Sequence, residues 1–268
     1  KTGKARMSPG SDRPRLRPFA VWWRPVQRNP SFMTTSLESS PAAPVSASPV
    51  RVWDLPTRLF HWTLALTIVG SVVSAKVGGN AMAWHFRLGY VVFALILFRL
   101  LWGFLGGHWS RFATFFYSPV TILRYLRGQS QPGEHLDVGH NPLGSLSVFG
   151  LLAFLAVQVS TGLVADDEIA NSGPLTRFVS GATVGLATGW HKAWGQWILL
   201  TMVALHIGAI LFYLFARGKN LVRPMVHGDK DLSAGTPAAR DDLAPRALAL
   251  GLIAGCAALV TWVVRQGG

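Results

Sequence analysis

The run Trp190-His191-Lys192-Ala193-Trp194-Gly195-Gln196-Trp197 continues over 198–215 as ILLTMVALHIGAILFYLF, and after Lys192 it carries no charged residue. A helix needs about 20 apolar residues to cross the hydrocarbon core of a bilayer, and this run exceeds that. Four more runs are of comparable length. They are about Leu59–Ala75, Trp84–Leu105 (interrupted by Arg87 and Arg99), Leu146–Val164, and the Ala/Gly-rich Ala247–Val264. A soluble core holds one or two uncharged stretches of this length, whereas five within 268 residues point to an all-α integral membrane bundle.

Composition agrees. Half of the residues are hydrophobic and 14% are charged, with 11 Trp and 15 Phe, against about a quarter charged in soluble domains. This excludes a disordered chain and argues against a soluble enzyme. The net charge of +13 is concentrated in an N-terminal arm and between the apolar runs. A nucleic-acid binder places such charge on a folded face or along a helix, so nucleic acid is not an expected partner. Cys256 is the single cysteine, which rules out an internal disulfide and a cysteine-ligated zinc or iron–sulfur site.

Lys and Arg placement sets an orientation. Arg51, Arg58, Arg111, Arg124, Arg127, Arg217, Lys219, Arg223, Lys230, Arg240 and Arg246 all fall on one side of a five-span chain. Lys76, Arg177, Lys192 and Arg265 fall on the other, with the acidic Asp166, Asp167 and Glu168. The expectation is a multi-pass protein of a bacterial inner membrane with a cytoplasmic N-terminus. Residues 1–49, rich in Pro, Ser and Arg, read as a disordered arm; Met33 is a candidate start, which would make 1–32 upstream sequence. Residues 50–225 read as a four-helix membrane domain, 226–245 as a cytoplasmic linker and 246–268 as a fifth span. Phe112–Arg127 suits a helix lying in the interface, with Pro119 breaking or starting it.

Of eight histidines, four sit in or at the ends of spans: His61, His85, His191 and His206. Any one of them reads most simply as a helix-end residue bonded to a carbonyl. Their arrangement says more. His206 follows His191 by fifteen residues, which on an α-helix returns to within about 60° of the same face, roughly 22 Å further along. One helix thus offers imidazoles at two depths. His85 matches the depth of His191, and His61 that of His206. Neutral imidazole is a good iron ligand, and facing imidazoles across a helix bundle suit a six-coordinate haem. The absence of a C-x-x-C-H motif excludes covalent c-type attachment.

Arg99 lies fourteen residues after His85, on its face within about 40° and roughly 21 Å deeper, level with His61 and His206. It has two readings, a partner for haem propionates or a side chain snorkelling to headgroups. Arg58, Arg87 and Lys192 are further propionate candidates and equally ordinary membrane-end cations. His108, His135, His140 and His227 fall in or beside loops and read as solvated.

Val52–Trp62 (VWDLPTRLFHW) resembles the opening signature of the prokaryotic cytochrome b561 family. So do Trp84–Tyr90 (WHFRLGY), Arg99–Phe104 (RLLWGF), His191-Lys192 and Ala204-Leu205-His206. The resemblance covers about Val50–Lys230, in a family that includes the b-type cytochrome subunits of membrane-bound nickel–iron hydrogenases. It implies a four-helix core with two non-covalent b haems ligated by His61, His85, His191 and His206. It also implies electron transfer between the quinone pool and a redox partner, a hydrogenase or a periplasmic c-type cytochrome among the candidates. No catalytic nucleophile or base is implied, and the fifth span and long arm depart from the minimal pattern. Oligomerisation is left open. Two other classes compete: a transporter relaying protons through the histidines, and a structural membrane subunit without cofactor.

Overall fold

The computed structural model describes residues 47–267, apart from Pro132 and Ala234; the arm expected over 1–49 therefore lies outside the described residues up to Ser46. Strand β1 (Ser48–Arg51) leads into helix α1 (Leu55–Val77). Helices α2 (Met82–Leu105), α3 (Pro119–Leu126) and α4 (Pro142–Leu163) follow. Then α5 (Gly181–Gly189) passes through a π-helical turn, Trp190–Gly195, into α6 (Gln196–Arg217). The chain ends with α7 (Val222–His227), β2 (Asp229–Leu232) and α8 (Leu243–Val264). Among the described residues, five helical segments are long and apolar enough to cross a membrane: Leu55–Val77, Gly79–Leu105, Pro142–Leu163, Gly181–Arg217 and Leu243–Gly267. These are the five runs of the sequence, each starting earlier than its apolar stretch.

The extensions have local causes. Asp54 caps α1 by accepting from Thr57 N at 2.8 Å, with Pro56 in the first turn. Ser118 caps α3 before Pro119, Asn141 caps α4 before Pro142, and Asp242 caps α8. A short polar acceptor followed by proline starts a helix because proline fixes φ where no N–H is needed. The interfacial segment accordingly divides, with a 3₁₀ turn over Phe112–Thr114 and α3 starting at Pro119. The fourth span is longer than expected because α5, rich in small residues, stacks end to end with α6 through the π turn.

The segment 226–245, read as a linker, contains β2, which pairs antiparallel with β1 from Ser48↔Leu232 to Arg51↔Asp229. These strands are too short and too polar to show a period-2 signal. Charge pairing ties them to the helices. Arg51 bonds Asp229 (2.6 Å) and Asp241, and Asp241 also accepts from Arg246 (3.1 Å) and Leu55 N (3.0 Å). Val52, Trp53, Trp109, Val138 and Ala239 form a small core beneath the sheet. Within the bundle, α8 packs mainly along α2. Phe60, Leu95, Phe98, Trp102 and Leu152 meet Ala249 and Cys256 there.

At the sheet end one carboxylate does most of the joining. Asp54 is fully buried and accepts from Thr57 N, Trp102 Nε1 (3.2 Å), Gly107 N (3.1 Å) and Ser110 Oγ (2.7 Å). It fastens the start of α1 to the end of α2. Replacing Asp54 with Ala leaves several buried donors unpaired, each costing about 1–3 kcal/mol. We expect D54A to lose at least about 3 kcal/mol of stability, read as a lowered Tm of the detergent-solubilised protein.

Candidate cofactor site between the membrane helices

The two histidine pairs expected from spacing are brought together. The rings of His85 (α2) and His191 (π turn) have centroids 5.8 Å apart at 82°. Those of His61 (α1) and His206 (α6) are 6.4 Å apart at 49°. A metal–imidazole bond of about 2 Å on either side places two ring centroids roughly 6 Å apart, so each pair has the separation a shared metal requires. Helix α6 packs chiefly on α4, and the pairs face each other across the space between α6 and the α1–α2 hairpin.

At the far end from the sheet the imidazoles are oriented by backbone. His85 Nδ1 lies 2.9 Å from Ser71 O, and His191 Nδ1 lies 2.9 Å from Gln158 O. A carbonyl only accepts, so Nδ1 carries the proton in both rings and each Nε2 keeps its lone pair. This is the usual outer partner of a metal-bound histidine. A Cβ at Gly162 would stand 3.0 Å from His191 Cε1, so glycine there lets the ring lie against α4. A cavity of about 720 Å³ opens at this pair, within the size range of cofactor pockets. Ser71, Phe86, Tyr90, Leu155 and Leu199 are among its lining residues, with the cations Lys76 and Lys192.

The pair nearer the sheet has a different setting. His61 Nδ1 is buried without a partner, as are both Nη atoms of Arg99. Arg99 is 2% exposed, with its guanidinium 4.7 Å from the Phe112 ring. It does not snorkel. A buried guanidinium with two unused nitrogens is costly unless an anion meets it, and a cofactor carboxylate at this depth is such an anion.

Two other cations are already engaged. Arg58 donates to Val226 O at 2.7 Å and lies 3.8 Å from Asp241. Arg87 lies over Trp84 at 5.0 Å, outside the cavity lining. Lys76, noted in the sequence only for orientation, lies over Trp197 at 5.5 Å and lines the cavity. Position at a helix end gave no hint that it reaches across to Trp197.

His140 was read as solvated and is not. Its ring sits between Trp53 (4.7 Å) and Phe115 (4.5 Å), with Nδ1 sealed and unpaired. Burial, reinforced by nearby Arg99 and Lys230, pushes its pKa down to about 3. Lys230 itself is drawn down to about 8 by burial, while Asp137 opposes the shift. A loop position beside Asn-Pro carries no signal for this, because the aromatic walls come from β1's exit and the α2–α3 connection.

A helical membrane bundle that presents paired imidazoles at two depths, with a buried cation level with one pair, has the make-up of a membrane b-type cytochrome engaged in electron transfer. The family model described as prokaryotic cytochrome b561 matches residues 52–228, and the chain belongs to that family. Among its relatives is a probable Ni/Fe-hydrogenase B-type cytochrome subunit of Bradyrhizobium diazoefficiens. It is 24% identical over 75% of this chain and 94% of its own length. The probable counterpart of Azotobacter chroococcum is 29% identical over 67% of this chain and 87% of its own. A probable Ni/Fe-hydrogenase 1 B-type cytochrome subunit of Escherichia coli is 24% identical over 66% and 88%. No solved structure matches the chain.

The unpaired state of Arg99 yields a test. In protein made without haem, R99L removes an unmatched buried charge and is expected to raise stability by about 1–3 kcal/mol. In haem-loaded protein the same change is expected to lower it. Thermal unfolding of both forms checks the reversal of sign.

Proposed function

We propose that the chain is a dihaem b-type cytochrome that carries electrons between the quinone pool and a redox partner. The observation that supports this most directly is the pair of facing imidazole sets at 5.8 Å and 6.4 Å. His85 and His191 would hold one haem, His61 and His206 the other. When bound, haem supplies one-electron chemistry at its iron. The protein's part is to hold and tune it. Ser71 O and Gln158 O fix the tautomers of His85 and His191. Arg99 would take a propionate near His61 and His206, and Lys192 with Lys76 would serve the other site. Arg58 and Arg87 remain structural cations in this reading. Two imidazoles with no Met ligand favour a lower potential than a Met/His haem.

The arginine-rich sheet end faces the cytoplasm of a bacterial inner membrane, and the Asp166–Glu168 loop faces the periplasm. For the partner, the names of the relatives favour a nickel–iron hydrogenase over a soluble c-type cytochrome.

Purified protein should be coloured, with b-type bands that sharpen on dithionite and a haem-to-protein ratio near two. H206A should lose one haem and keep the other. A colourless protein would sink the reading in favour of a proton relay or a scaffold. In membranes that also contain the hydrogenase, hydrogen gas should reduce these bands; bands unmoved by hydrogen would exclude that partner while leaving the cytochrome intact.

A further inference from the structure

The π turn over Trp190–Gly195 is where two demands on one helix meet. His191 must face His85 while His206 faces His61, yet fifteen α-helical steps leave them about 60° apart. A turn closed by i→i+5 bonds takes roughly 4.4 residues, so each step turns about 18° less than an α-helical step. The four steps from His191 to Gly195 within the π turn therefore remove roughly 70°, which brings the two histidines onto one line. A wider turn is a poor helix by itself. In lipid no water is at hand to steady it.

Gln158 gives the turn an extra donor from outside the helix. It lies on α4, its side chain is buried, and Nε2 donates to His191 O at 3.0 Å. Its backbone carbonyl accepts from Nδ1 of the same histidine at 2.9 Å. Thr161 Oγ1, one turn on, lies 3.3 Å from that Nδ1. The amide reaches in because residue 195 is glycine, where any Cβ would overlap Gln158 Oε1. One residue thus grips His191 at both ends, backbone and ring.

We propose that Gln158 is a positioning residue, one that holds the π turn open and so sets the plane and reach of the His191 imidazole. This rests on the reading of His85 and His191 as haem ligands. Gln158→Met keeps length and bulk but removes the donor, so a purely space-filling role would survive it.

The full-length protein is compared with Q158M by two readouts. The first is the low-spin haem electron paramagnetic resonance spectrum together with potentiometric titration. Q158M should shift the signal and midpoint of one haem and leave the other, held by His61 and His206, unchanged. The second is amide hydrogen exchange over Trp190–Gly195, which does not depend on haem. It should be faster by about fivefold, the value of one ordinary hydrogen bond. Unchanged spectra and unchanged exchange overturn the proposal. Wild-type protein without haem overturns the cytochrome reading alone, and the exchange measurement still decides the role of Gln158. Should Q158M fail to fold, Gly195→Ala displaces the amide while keeping its chemistry and should give the same one-sided shift. A G195A protein with both haem signals and the exchange intact counts equally against the proposal.

Discussion

The constraint that organises this molecule is that a single helix, α6 with its π turn, has to face partners at two depths while lipid covers its other side. Water cannot repair an unpaired backbone group at that depth. A polar group from a neighbour therefore steadies a departure from α-helical phase. Helix α4 meets this need with Gln158 and, through Gly162, by leaving room for the His191 ring. The pairing of α6 with α4 is then a consequence of the site as well as of packing. Helices α1 and α2 contact each other closely along the hairpin, and what they present to α6 is His61 and His85.

The two ends of the bundle handle charge in opposite ways. Around His85 and His191 every imidazole Nδ1 has a carbonyl, and the cations Lys76 and Lys192 that line the cavity are exposed. Around His61 and His206 the polar atoms are buried and incomplete, with Arg99 and His140 left unpaired. Asp54 is close by, but its oxygens are filled by Thr57, Trp102, Gly107 and Ser110. The carboxylate that could neutralise Arg99 is thus committed to joining α1 to α2. Buried unpaired donors of this kind are uncommon in finished structures, and they are what the proposed propionate contact of Arg99 would satisfy.

Much of this was legible in the sequence, for identifiable reasons. Spans show because lipid demands long uncharged runs, and the histidine pairs show because 100° per residue is nearly constant. That arithmetic left a residual angle between His191 and His206, and nothing in WHKAWG announces that a π turn removes it. Gln158 carries no sequence signal of its contacts, since they lie on a helix distant in sequence. β1 and β2 were invisible because four-residue strands held by Arg51, Asp229 and Asp241 have no hydrophobic period. His140 was misread because burial by Trp53 and Phe115 is a tertiary fact.

The fifth span follows from the same asymmetry. Helix α2 carries His85 and Arg99 towards the site, yet Phe98 and Trp102 stack against each other (5.7 Å) in the cluster that α8 completes. Trp102 must stay in place because its Nε1 donates to Asp54. Small residues let a helix approach closely, and Ala249 and Cys256 bring α8 against this stack. Trp102, packed in the cluster with α8, and Asp54 are both wholly buried. Helix α8 thus braces from behind the helix that carries His85 of the far pair and the Arg99 beside the near one.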